Sequence, residues 1–155
     1  VVVIEKLLNE ELIVLDMEAK DSDQAIEILA EVLYKNNFVK ESYMKAVKDR
    51  EKIFPTGLPT KGVGVAIPHT DSKHVNKAAI SIGILKNPVK FNMMGYSEGH
   101  VDVELIFMLA IKDPKEQLQV LENLINLIQN YDALIHIRKS KNQSEIVKLI
   151  GEEIA

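Results

Sequence analysis

The chain contains no cysteine, which excludes thiol nucleophiles, disulfides and thiolate metal sites and leaves histidine, carboxylate and hydroxyl groups to do any chemistry. Four histidines are present: His69, His74, His100 and His136. His69 has a distinctive address. It follows an apolar run at 63–67 that reads as a strand, and Pro68, which cannot donate to a strand ladder, ends that run. An imidazole is thereby placed at the rim of a sheet, where scaffolds of this kind present reactive groups. Such a ring can act as base, ligand or nucleophile. With an ordinary pKa of about 6.5 it is largely neutral at cell pH, and a neutral ring nitrogen attacks phosphorus without first losing a proton. The plain alternative is a turn residue with no further role.

Arg50 is the second candidate. It lies three residues after Val47 and seven after Tyr43, so it projects from the apolar stripe of its helix, although a guanidinium is costly to bury unpaired. Either it snorkels toward Asp49, Glu51 or solvent, or it is a planar fork waiting for an anion such as a phosphoryl group. His69, Asp71 and His74 lie within six residues and form a possible divalent-metal group, but histidines five apart share no helix or strand face. Gly57 and Gly62 have phosphate-loop spacing, yet Val63 stands where that loop needs lysine and the segment enters a strand. Nucleotide binding is therefore not expected, and these glycines are read as permitting turns and close backbone approach. His100, after the polar loop 95–99, and His136, in a late helix, read as solvated or capping imidazoles.

The elements that must position these residues come from periodicity and punctuation. The 155 residues are 46% apolar and 27% charged with a formal charge of −4, the composition of one ordinary globular domain, read as a single unit over 1–155. A short strand is expected at 12–15. A helix follows, with Asp21, Ser22 and Asp23 as cap candidates, Ala25, Ile26, Leu29, Ala30, Val32 and Leu33 at helical spacing, and Asn36-Asn37 as its stop. A second helix is expected at 40–52, with Tyr43, Met44, Val47 and Phe54 on its apolar side. Loop 55–59, strand 63–67, strand 78–85, a short edge piece at 88–91 and a buried strand at 101–111, wet at Asp102 and Glu104, come next. Asp113-Pro114-Lys115-Glu116 supplies a cap, a first-turn proline and an acid three residues after the cap. Leu118, Leu121, Leu124, Ile125 and Ile128 then follow in register. A last helix at 143–154 points Ile146, Leu149, Ile150 and Ile154 inward. Helices before and after a block of strands imply an α/β fold, a mixed β-sheet flanked by helices.

No stripe of basic residues is present to hold a nucleic acid. The longest apolar run, 105–111, is too short to span a bilayer, so any membrane role is expected to come through a partner. The N-terminal VVVIEKLLNEE lacks the pattern of a secretory signal, the missing initiator methionine points to processing or trimming, and a cytoplasmic location is expected.

Three segments in order, Asp49-Arg50-Glu51, Phe54-Pro55-Thr56-Gly57 and Val65-Ala66-Ile67-Pro68-His69, resemble the enzyme IIA domains of the fructose and mannitol superfamily of the sugar phosphotransferase system. Ser72-Lys73-His74, the stretch 87–91 with Pro88 and Phe91, and Asp113-Pro114-Lys115-Glu116-Gln117-Leu118 are similar to the galactitol-type branch. The resemblance spans about 42–128. It implies a phosphoryl carrier in which His69 accepts phosphate from the histidine-containing phosphocarrier protein. The group then passes to a cysteine of a IIB partner, which phosphorylates sugar entering through a membrane IIC. Arg50 matches the family's arginine beside that histidine, and Thr56 matches a hydroxyl position near the site. Mannitol and fructose members carry a second histidine early in the helix that begins here at Asp113, where this chain has Gln117, so His74 is a candidate for the missing cation. No metal or cofactor is implied. A regulatory IIA module, signalling by its phosphorylation state without serving transport, shares the same motifs. One ring nitrogen of His69 is expected to bond a backbone carbonyl and so fix the attacking tautomer.

Overall fold

Strand β5, His100–Ala110, is apolar on both faces and becomes the centre of the fold. Its Leu105, Phe107 and Leu109 point to one core, and its Val103, Ile106, Met108 and Ala110 to the other, which is how a strand covered on both sides must read. The computed structural model describes residues 4–95 and 98–154, excluding the Ile154 side chain. Around β5 lie β1 (Leu8–Met17), β2 (Gly57–Leu58), β3 (Gly64–Ala66) and β4 (Ala79–Asn92), in the order β1-β4-β5-β3-β2. β1 is parallel to β4 and β3 to β5, while β4–β5 and β3–β2 are antiparallel. The sheet is mixed, as expected, and helices cover both faces.

Helices α1 (Ser22–Lys35) and α2 (Tyr43–Ile53) pack on one face, and α3 (Pro114–Ile128), α4 (Tyr131–Lys139) and α5 (Gln143–Ile154) on the other. Capping follows the sequence closely. Asp21 accepts from Gln24 N to start α1, Asn37 takes a left-handed φ of 64° just past its end, and Asp113 accepts from Lys115 N to start α3. Lys48 of α2 reaches Asp23 and Glu27 of α1, tying the two helices together.

Several expectations need correction. β1 runs ten residues instead of four, because it pairs with β4 at Leu8 and again from Ile13 onward, with polar Asn9, Glu10 and Glu11 in the register irregularity between. The loop at 55–59 contains β2. The stretch 88–91 is the far end of one long β4, which bends between Ile84 and Val89 and runs beyond β1, where Pro88 disturbs no ladder. Phe54 lies past the end of α2 and is 59% exposed. On α3 the core residues are Val120, Leu124, Leu127 and Ile128, while Leu118 and Ile125 face outward. Helix α4, which contains His136, is capped by Asn130 and anchored by Ala133, Leu134 and Ile137. The polar loop before His100 falls partly outside the described residues, and His100 opens β5 opposite Asn92.

Two glycines permit close approach. A Cβ on Gly64 would sit 2.0 Å from the Asp102 carbonyl oxygen, and one on Gly57 would sit 2.6 Å from that of Asn92. Both close the β2–β3 hairpin onto the sheet.

Candidate functional site

Because β3 and β5 are parallel, they end at one edge of the sheet. His69 emerges three residues past β3, and α3 begins four residues past β5. The strand pairing continues past β3, with Leu109 N donating to Pro68 O at 3.0 Å. Pro68 restricts Ile67 to extended backbone. The His69 side chain folds back within this pinned segment, and its Nδ1 lies 2.8 Å from the Ile67 carbonyl oxygen. A carbonyl can only accept, so Nδ1 carries the proton and Nε2 holds the free lone pair. His69 is only 8% exposed. Burial pushes its pKa below the ordinary value; the Arg50 charge adds to that, while the Ile67 carbonyl and Asp71 oppose it. The ring is thus held neutral with Nε2 nucleophilic.

Helix α2 presents the cation. Arg50 leaves its last turn half-buried, its guanidinium 5.1 Å from the centre of the Phe54 ring, and its Nε is buried without a hydrogen-bond partner. Among the described residues no carboxylate forms an ion pair with it. Neither Asp49, which pairs with Lys45, nor Glu51 absorbs its charge, so the snorkelling alternative loses its named acid partners. An unpartnered guanidinium donor beside a neutral imidazole is suited to an incoming oxyanion.

Thr56 is buried, but its hydroxyl is already engaged. Thr56 Oγ1 donates to Glu51 Oε1 at 2.8 Å and accepts from Ile67 N at 3.2 Å, while Thr56 N donates to Glu51 Oε2 at 2.8 Å. The Thr56 hydroxyl proton is thereby directed to Glu51. His74 is also elsewhere. It sits in a short 3₁₀ turn with Nδ1 2.8 Å from Ser42 Oγ, at the opposite end of α2 from Arg50. Eight residues of helix separate Ser42 from Arg50, about 12 Å. Gln117 lies half-buried in the first turn of α3, at the same sheet edge as His69. Among the described residues no three metal-ligating side chains gather, so His69, Asp71 and His74 form no such group.

Two participants escaped the sequence reading. Glu51 is a buried carboxylate whose desolvation raises its pKa from 4.5 to about 7, against the lowering effect of its bonds from Thr56. Tyr43 is fully buried and donates to the Leu109 carbonyl at 2.6 Å. A signal existed for the first: Tyr43, Val47 and Glu51 recur at four-residue intervals, which puts the acid on the buried stripe of α2.

The family model for the phosphoenolpyruvate-dependent sugar phosphotransferase system, EIIA 2, matches residues 6–153. The chain belongs to this enzyme IIA family. It is 36% identical over 101 residues to the transcriptional regulator ManR of Bacillus subtilis, covering 65% of this chain and 14% of the regulator. It is 27% identical over 114 residues to the galactitol-specific EIIA component of Escherichia coli K12, covering 74% and 75%. The mannitol-specific EIICBA component of Pasteurella multocida is 28% identical over 148 residues, 93% of this chain and 22% of that protein. The chain thus spans only a small part of several of the relatives it matches. The solved structure of IIA mannitol from E. coli superposes with a TM-score of 0.77 at 25% identity, over 92% of this chain and 98% of that one. No helix among the described residues is long and apolar enough to cross a membrane.

Proposed function

We propose that this IIA domain is a cytoplasmic phosphoryl carrier in which His69 Nε2 accepts a phosphoryl group from the histidine-containing phosphocarrier protein and passes it to a IIB cysteine. The observation that carries the reading is the His69 Nδ1 bond to the Ile67 carbonyl, which leaves a neutral Nε2 as nucleophile. In the forward step the Nε2 lone pair forms a bond to phosphorus as the donor's P–N bond breaks. The released electron pair returns to the donor imidazole. Nδ1 keeps its proton, and the Ile67 carbonyl stabilises the positive charge the His69 ring acquires. That charge also makes the ring a good leaving group for onward transfer to sulfur. Arg50 neutralises the equatorial oxygens, the main task in phosphoryl transfer, and Gln117 supplies an amide donor from α3. Phosphocarrier and IIB are the direct partners, and a membrane IIC is reached only through IIB.

The likeness to a galactitol-specific IIA over three quarters of both chains, together with Gln117 in place of a second histidine, favours a galactitol-like sugar alcohol as the transported substrate. Incubation with phosphoenolpyruvate, enzyme I and phosphocarrier, followed by intact-mass measurement, should show one added phosphoryl group. Subsequent addition of purified IIB proteins should discharge it, fastest to a galactitol-type IIB. A protein that takes up no phosphate in this cascade is not a carrier. The second reading, a regulatory module, is favoured by the 36% identity to ManR. It predicts that the group is accepted but discharged to no transport IIB.

A further inference from the structure

Counting the hydrogen bonds from Glu51 toward His69 gives an unbroken brace. Both Glu51 oxygens are occupied by Thr56, one by its backbone N–H and one by its hydroxyl. The same hydroxyl accepts from Ile67 N, and the Ile67 carbonyl accepts from His69 Nδ1. Ile67 is pinned on its other side, since Pro68 O is held by Leu109 N, whose own carbonyl receives the Tyr43 hydroxyl. Helix α2 therefore grips the histidine segment by two indirect routes, Tyr43 at its start through Leu109 and Glu51 at its end through Thr56. Arg50, adjacent to Glu51, takes no part in either grip.

We propose that Glu51 is a positioning residue that acts through Thr56 and the backbone of Ile67 to hold the His69 ring in the Nδ1–H tautomer with Nε2 free. The chemistry requires a residue of this kind. An isolated imidazole samples both tautomers, and only one leaves Nε2 unprotonated. The selecting group is a backbone carbonyl, which is only as rigid as the peptide that bears it. A hydroxyl with one proton and two lone pairs can link an acid on one side to an N–H on the other, and a buried acid is an acceptor that solvent cannot replace. Burying that carboxyl is costly, and the brace gives a functional reason for keeping it. The role of the free Nε2 as phosphoryl acceptor rests on the proposed function; the tautomer itself does not.

The test is imidazole ¹⁵N NMR of the unphosphorylated protein together with the rate of phosphoryl acceptance. In the wild type, His69 should be the Nδ1–H tautomer. Thr56→Val, nearly isosteric, and Glu51→Ala should give a mixed tautomer population. Acceptance should slow by about 10- to 100-fold, the range that loss of an orienting partner costs a ligating histidine. Thr56→Ser, which restores the hydroxyl, and Glu51→Gln, whose carbonyl and amide can serve the same two Thr56 groups, should recover the wild-type spectrum. A wild-type His69 protonated on Nε2 overturns the proposal whether or not any variant folds. A folded Thr56→Val variant with an unchanged tautomer overturns it as well. If the wild type shows the expected tautomer yet accepts no phosphate, the carrier reading fails while the brace stands.

Discussion

At the scale of single residues the proposed site divides its labour between His69 as nucleophile, Arg50 as cation and Glu51 with Thr56 as brace. Arg50 contributes little to the fold, since its Nε is unpartnered and its contact is with the exposed Phe54 ring. Arg50→Ala should therefore slow transfer on the order of 100-fold, as loss of a transition-state donor does. Unfolding free energy should change by less than about 1 kcal/mol. Arg50→Lys should fall between, keeping the charge but losing the fork. Chemical denaturation alongside single-turnover kinetics checks both; an unstable variant that transfers normally would assign Arg50 to structure. His69 makes a pH prediction. Because burial lowers its pKa below 6.5, the neutral form persists into mildly acidic solution. The acceptance rate should hold as pH falls through 6.5 and drop only below it, so a midpoint at or above 6.5 contradicts the account. The residues that could be read from sequence were those whose chemistry is local: His69 after a strand-ending proline, and a guanidinium on an apolar stripe. Thr56 was named from its motif, but its bonds to Glu51 were not legible, because that pairing is set by the turn after α2.

At the scale of elements, α2 does most of the positioning. Its Glu51 should give a recognisable stability profile. The folded protein holds this carboxyl's pKa at about 7 against 4.5 for the free group. Between those values the folded state keeps a proton that the unfolded state has lost, so stability falls as pH rises through this window and levels off above it. The contribution is up to about 3 kcal/mol. Glu51→Gln should flatten that slope, and urea titrations from about pH 4.5 to about 8 would show whether it does. At the other end of α2, His74 is bonded to Ser42, so His74→Gln should leave transfer nearly unchanged whereas Gln117→Ala slows it. The reverse ranking would return His74 to the site. The strongly patterned helices α1, α3 and α5 were legible from sequence. β2 is two residues inside a Pro- and Gly-rich turn and forms only because Gly57 and Gly64 let backbones meet. α4 was legible as a late helix holding His136 but not in its bounds, since it has only three buried apolar anchors.

For the whole molecule, the relevant fact is that two cores on opposite faces of one sheet bring α2 and α3 to the same edge, with His69 between strand β3 and the start of α3. The edge was predictable from the order of strands and helices; the pairing of β3 beside β5, which makes their ends coincide, was not, since register between distant segments leaves no local trace. Nothing in this geometry has meaning as phosphoryl transfer unless the group lands on the nitrogen the fold leaves free. The most direct measurement is a long-range ¹H–¹⁵N and ³¹P correlation spectrum of the protein after phosphorylation by phosphoenolpyruvate, enzyme I and phosphocarrier. The expected result is phosphorus bonded to Nε2 of His69 with Nδ1 still protonated, and complete loss of the signal in His69→Ala. Phosphorus on Nδ1, on His74 or on any other residue would contradict it.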